Sequence, residues 1–189
     1  MVGRQDAGVP SLPEELRAGP VTLRRSRVAH LAAVMEAVAQ SHAELSRWMP
    51  WADPMPSADE EAAALRLMEE RFDADLDWAY LLFEPGDELV GGAGLRRRST
   101  DTAEIGYWVR SDRTRRGYAT AAAGALTAAA FACLPTIERV EIRMDQANAA
   151  SAAVPPKLGY TLVGEEQREV VTSGHTGRFW IWSVSRPTS

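Results

Sequence analysis

One cysteine, three histidines and a deficit of basic side chains set the first limits on this chain of 189 residues. Cys133 cannot close an internal disulfide by itself, and its apolar helical neighbours suit it to a small buried filler in a reducing compartment. So few thiol and imidazole groups, scattered along the chain, leave no spacing that would hold a metal. The least polar stretch, residues 118–134, is mostly alanine with two threonines. It falls short of the roughly 20 residues that a membrane span needs, so a core helix accounts for it and no membrane partner is expected. The first 20 residues mix prolines and charges without an apolar segment, so no signal peptide is expected either. Basic residues number 21 against 26 acidic, a net charge of −5 that argues against a nucleic-acid partner. Together these absences point to a cytoplasmic location.

The length suits one domain, expected over residues 20–189 behind a flexible segment at 1–19 that is rich in proline, glycine and charge. An apolar content of 46% is normal for a packed core. The positive charge is concentrated locally: Arg96, Arg97, Arg98, Arg110, Arg113, Arg115 and Arg116 fall close together. Clustering of this kind favours a compact polyanion as ligand.

Along the chain, Val21 to Arg25 alternates as a short strand. Arg27 to Gln40 carries Val28, Leu31, Val34, Met35 and Val38 at helical spacing, with Ser26 as its cap. Trp48 and Trp51 then flank a proline in what reads as a loop. The rings either close the core under that loop or wall a substrate pocket. Ser57 and Glu60 form a capping box for the next helix. Trp78 to Phe83 and Leu89 to Leu95 form a hairpin whose Gly91, Gly92 and Gly94 mark close approach of a ligand or of another backbone. Ala103 to Val109 is a strand, Tyr118 to Cys133 a helix and Arg139 to Met144 a strand, which together make a right-handed crossover with the two strands parallel. Leu162 to Val171 and Arg178 to Val184 close the sheet as an antiparallel pair.

The turn between the strand and helix of that crossover, Arg115-Arg116-Gly117-Tyr118-Ala119-Thr120, carries the chemistry. A basic, glycine-containing turn that opens a helix offers unpaired backbone N–H groups at the positive end of the helix dipole, which suits a pyrophosphate. It is followed by Asp145-x-x-Asn148-x-x-Ser151 and by Lys157-Leu158-Gly159-Tyr160.

In this order and spacing, the three motifs resemble the GCN5-related N-acetyltransferases, specifically the RimJ/RimL-type branch, over roughly residues 20 to 185. The resemblance implies an α/β (α+β) fold with a mixed, mostly antiparallel sheet of six to seven strands, a splayed central parallel pair and about four flanking helices. It implies acetyl-CoA as cosubstrate, with Trp108, Val109 and Arg110 along the pantetheine arm, Arg115 to Thr120 on the pyrophosphate and Asn148 reaching the arm. The acceptor would be a primary amine: a protein N-terminus, with Trp48 and Trp51 lining its site, or a small molecule. A non-catalytic CoA-binding module is the alternative of a different class, and a homodimer is left open.

Direct acetyl transfer needs a neutral amine and a proton for the departing thiolate. Many relatives supply that proton from a tyrosine at the position where this chain has Pro155, so the resemblance moves the role to Ser151. Pro155 and Pro156 should also break the helix near Val154 and push that residue out of helical dihedrals. Glu104, on the strand expected to flank the thioester, is either the base or a strand carboxylate paired with an arginine. Glu141 on the neighbouring strand is the runner-up.

Overall fold

Apolar alternation on some strands and a two-sided apolar run on another build an eight-stranded sheet in the order β1-β2-β3-β4-β5-β6-β8-β7. The computed structural model describes residues 11–188. Its strands are β1 (Glu15–Ala18), β2 (Val21–Arg25), β3 (Asp77–Phe83), β4 (Leu89–Arg97), β5 (Thr102–Val109), β6 (Arg139–Asp145), β7 (Thr161–Gln167) and β8 (Arg178–Ser185). Neighbours are antiparallel except β5 and β6, which are joined through helix α3 (Tyr118–Cys133) and run parallel.

The sheet has more strands than expected because β1 forms within the segment read as flexible. Gly19, at φ +56°, turns the chain so that Glu15 to Ala18 pair with Arg24 to Val21, and Leu12 is buried. Residues 1–10 of that segment lie outside the described residues.

One face of the sheet packs on α3. Leu23, Tyr80, Leu82, Leu95, Ile105 and Ile142 meet Ala122, Ala123, Leu126 and Ala130, whose short side chains let the helix lie close to the strands. The other face carries α1 (Leu31–Trp48) and α2 (Ala58–Asp73). Helix α1 starts later and ends later than its apolar spacing predicts. A 3₁₀ turn occupies Val28–His30, and Ser41 and Leu45 continue the buried stripe beyond Gln40. Ser26 is therefore not its cap. Ser57 does cap α2, accepting from the Glu60 N–H while the Glu60 carboxylate accepts from the Ser57 N–H.

Helix α4 (Ala149–Ala152) is a single turn, stopped by the two prolines, which open a 3₁₀ turn over Pro155–Leu158. Val154 keeps helical dihedrals (φ −83°, ψ −53°), contrary to the expectation, because the following turn continues in the same hand.

Candidate active site

Strands β5 and β6 pair only from Thr102–Arg139 to Ile105–Ile142. Beyond that point β5 stays with β4, Gly106 opposite Gly94 and Val109 opposite Gly91, while β6 follows β8, Arg143 opposite Ile181 and Asp145 opposite Phe179. The two central strands therefore splay into a wedge. The Arg110 N–H donates to the Val90 carbonyl at 2.8 Å. Main-chain groups alternate sides along an antiparallel strand, so those of Tyr107 and Val109 face the wedge, free for an amide-bearing ligand.

The chain leaving β5 reaches α3 through Arg115 (φ +61°) and Gly117 (φ +82°), two left-handed residues separated by one. No side chain caps α3, so the N–H groups of Tyr118, Ala119 and Thr120 lack a helical partner. A Cβ on Gly117 would meet nothing within 4 Å: the space above this cradle is open. Acidic neighbours take up most of the arginine charge. Arg110 is buried and bound to Glu88, Asp112 and the Leu89 carbonyl, Arg113 pairs with Glu88 and Asp112, and Arg116 lies 3.4 Å from Glu84. Tyr118 turns inward and donates to Glu84. Arg115 is exposed. A groove of about 520 Å³ runs along Gly117, Thr120, Ala121 and Gly124, flanked by Arg17 and Lys157. Neither of these cations has an acidic partner among the described residues. Lys157 opens the Lys-Leu-Gly-Tyr motif, but sequence spacing could not bring it or Arg17 to this groove, because Arg17 arrives on β1 and Lys157 from the turn after α4.

Asn148 caps α4, its Oδ1 accepting from the Ser151 N–H at 3.0 Å. The Ser151 hydroxyl donates to the Tyr107 hydroxyl oxygen at 3.2 Å, and the Tyr107 hydroxyl donates to the Ser151 carbonyl at 3.1 Å. Burial pushes the Tyr107 phenol up to about 12, against the hydrogen bond from Ser151, so it keeps its proton at any working pH. Tyr107 was not singled out from the sequence. Its partner lies 44 residues away, and only the crossover brings the two together.

On the opposite face from α3, beneath α1 and α2, lies a cavity of about 800 Å³. Gly92, Gly94 and Gly106 form its floor, and Met49, Trp51, Leu65, Met68 and Trp108 its walls. Trp51 meets Trp108 edge-on, with ring centroids 6.1 Å apart. The Gly106 to Trp108 stretch that lines this cavity is the same stretch that leaves β6, so wedge and cavity meet there. Glu104 also lines the cavity. Its Oε1 lies 2.6 Å from Arg96, and its Oε2 lies 3.3 Å from Arg98 and 3.6 Å from Arg143, with no accessible surface of its own.

The family model for the GNAT acetyltransferase domain matches residues 21–161, most of the chain. The chain belongs to the GNAT acetyltransferase family. Among curated proteins, this acetyltransferase is 28% identical over 158 residues to YdaF of Bacillus subtilis (strain 168), named as a candidate ribosomal N-acetyltransferase; the match covers 82% of this chain and 85% of that one. Among solved structures, RimL, a ribosomal L7/L12 alpha-N-protein acetyltransferase in complex with coenzyme A, superposes with a TM-score of 0.83 at 20% identity, over 91% of this chain and 98% of that one. RimJ of Mycobacterium smegmatis, in complex with CoA-disulfide, gives 0.79 at 23% identity, over 93% and 88%.

The cosubstrate of this acetyltransferase is acetyl-CoA, and the chain has the features to receive it. The open cradle over Gly117 fits a pyrophosphate, and the free edge of Tyr107 and Val109 fits pantetheine amides. Two expected positions differ from the resemblance. The Arg110 guanidinium is spent on Glu88, Asp112 and Leu89, and its backbone faces β4, so it holds the loop and does not face the wedge. Trp108 likewise turns its backbone to β4 and presents its ring to the cavity. Trp48 ends α1 outside the cavity, where its ring donates to Glu44 and its carbonyl accepts from His175, closing the loop after β7 against the helix. The continuation of α1 turned it there. Glu141 is bound to Arg143 at 2.7 Å.

Proposed function

We propose that this acetyltransferase modifies the α-amine of a protein or peptide N-terminus, with a ribosomal protein as the natural acceptor and the cytoplasm as its location. The observation that carries this reading is the meeting of wedge and cavity at Gly106 to Trp108. A thioester entering from the α3 side would face an acceptor seated beneath α1 and α2, in a cavity wide enough for the first residues of a chain. The name of the curated relative YdaF supports the ribosomal acceptor.

In the proposed step the neutral amine nitrogen attacks the thioester carbonyl carbon, the resulting cationic nitrogen gives up one N–H proton to water, the C–S bond breaks, and the thiolate takes the Ser151 hydroxyl proton. Solvent then returns a proton to the serine. Asn148 fixes the Ser151 backbone, and Tyr107, hydrogen-bonded at both the hydroxyl and the carbonyl of that residue, sets its rotamer. Tyr107 is a positioning residue here.

A thiol-release assay across N-terminal peptides and small amines tests the reading. Peptide turnover well above that of any small amine is the expected result. The reverse ranking would assign a small-molecule acceptor, and a flat panel with acetyl-CoA still bound would leave a CoA-binding module.

A further inference from the structure

The acceptor cavity contains a carboxylate that no sequence motif marks. Glu61, in the first turn of α2, is 8% exposed and lines the cavity beside Leu65 and Met68. It has no ion-pair or hydrogen-bond partner for its side chain among the described residues. The other charged groups that face the cavity are committed elsewhere or solvated. Glu60 is bound to Ser57, Asp77 to Arg71, and Arg96 to Glu104, while Asp53 is exposed at the rim. Glu104 is committed to arginines: Arg96 holds its Oε1 at 2.6 Å, and its Oε2, which has no accessible surface, lies 3.3 Å from Arg98. A second polar group points the same way, since the Ser26 hydroxyl lines the cavity, is 2% exposed and has no partner among the described residues. The hydroxyl is an orphaned buried polar atom, which is costly unless a ligand completes it, whereas the Glu61 oxygens keep accessible surface and so can be reached by an acceptor in the same cavity.

We propose that Glu61 receives the acceptor's ammonium and takes its proton, directly or through one water. This rests on the acetyl-transfer reading above. The N–H bond of the ammonium breaks, its electron pair stays on nitrogen for attack on the thioester carbonyl, and the proton forms an O–H bond on Glu61, which releases it to solvent after turnover. Burial holds the Glu61 carboxyl above the usual glutamate range, and no neighbouring charge offsets it. That shift moves a carboxylate towards the pH at which a general base works best. It also has a consequence for folding. A carboxyl raised in the folded state binds more protons there than in the unfolded chain, so stability falls as pH rises from the unfolded value, about 4.3, through the folded one.

The test compares the pH profile of kcat/KM for wild type, Glu61→Gln and Glu104→Gln, using whichever amine the wild type turns over best. Glu61→Gln is expected to lower kcat/KM by about 10²-fold or more, to lose the acidic limb of the profile and to leave acetyl-CoA affinity unchanged. Glu104→Gln is expected to keep that limb whatever its absolute rate. Glu61→Gln should also be the more stable protein at neutral pH in thermal melts. A Glu61→Gln enzyme with the wild-type acidic limb would overturn the assignment while leaving acetyl transfer intact. Loss of the limb in Glu104→Gln alone would overturn it in favour of Glu104. A wild type that turns over no amine would overturn the transfer reading itself, and the assignment with it.

Discussion

Gly106 offers the sharpest test of where the acceptor sits. It is the first residue of β5 past the pairing with β6, it faces the cavity, and a Cβ placed on it would meet nothing within 4 Å. Its φ is not positive, so a β-branched residue can take its backbone conformation. Gly106→Val should therefore fold. Replacing a glycine in a strand interior removes a penalty of about 0.5–1 kcal/mol, which for a chain of this size is about 1–4 °C in Tm. The two added methyls would stand on the cavity floor beside the end of the wedge. Displacing a reacting group by about 1 Å costs about 10²-fold in rate, so acceptor kcat/KM should fall by about that factor. Acetyl-CoA affinity should not change, since the cradle at Gly117 and the main-chain edge of Tyr107 and Val109 are untouched. Calorimetry with CoA, a thermal melt and the thiol-release assay supply the three readings. A folded Gly106→Val variant with normal acceptor kinetics would refute this placement. Gly91→Ala is the contrasting case, because its Cβ would stand 2.3 Å from the Trp108 carbonyl oxygen. Overpacking against backbone of this kind destabilises by about 1–3 kcal/mol.

Gly117→Trp should abolish CoA binding by calorimetry while Gly117→Ala, which carries only the backbone strain of about 1–2 kcal/mol, retains it; equal affinities in the two variants would remove the cradle. Ser151→Ala should lower kcat by about 10²-fold or more with CoA affinity kept. Tyr107→Phe should lower kcat less and be answered by no change in CoA affinity; a Tyr107→Phe loss equal to that of Ser151→Ala would make the phenol the donor. Asp145 is buried and accepts from the N–H groups of Ala147, Thr176 and Gly177 and from the Thr176 hydroxyl. Burial works to raise its carboxyl, but these hydrogen bonds prevail and hold it below the usual aspartate range. Its stabilisation is thus present above the unfolded value of about 3.9 and is lost as pH falls through the folded one. Asp145→Ala, leaving those donors unpaired, should cost about 3 kcal/mol or more and flatten the acid limb of the stability profile, as read by urea unfolding at stepped pH.

Elements whose signals are local can be read directly from the order of residues. Tyr118–Cys133 is legible because an alanine run after a glycine turn has few alternatives, and the capping box at Ser57 because it needs only four adjacent residues. The crossover β5-α3-β6 and its parallel pair follow from chain order and handedness. The short strand at Glu15–Ala18 was not legible, since its stability comes from pairing with β2 and from burial of Leu12 and Ala18, not from its own composition. Helix α1 ran on to Trp48 because Ser41 and Leu45 are buried by neighbours, which carried that ring out of the cavity.

Tertiary structure alone decided the fine chemistry of the site. In the sequence Gly91, Gly92, Gly94 and Gly106 look alike, yet a Cβ would strike the Trp108 carbonyl at Gly91, the Trp108 indole at Gly92, and open space at Gly106. Glu104 and Glu61 are both carboxylates in periodic elements, but three arginines from β4, its following turn and β6 converge on the first, while α2 turns the second into an apolar cavity. The physical reason is common to all of these cases. Propensity and capping act between residues a few positions apart, whereas charge pairing, burial and steric room depend on which distant strands the fold lays side by side.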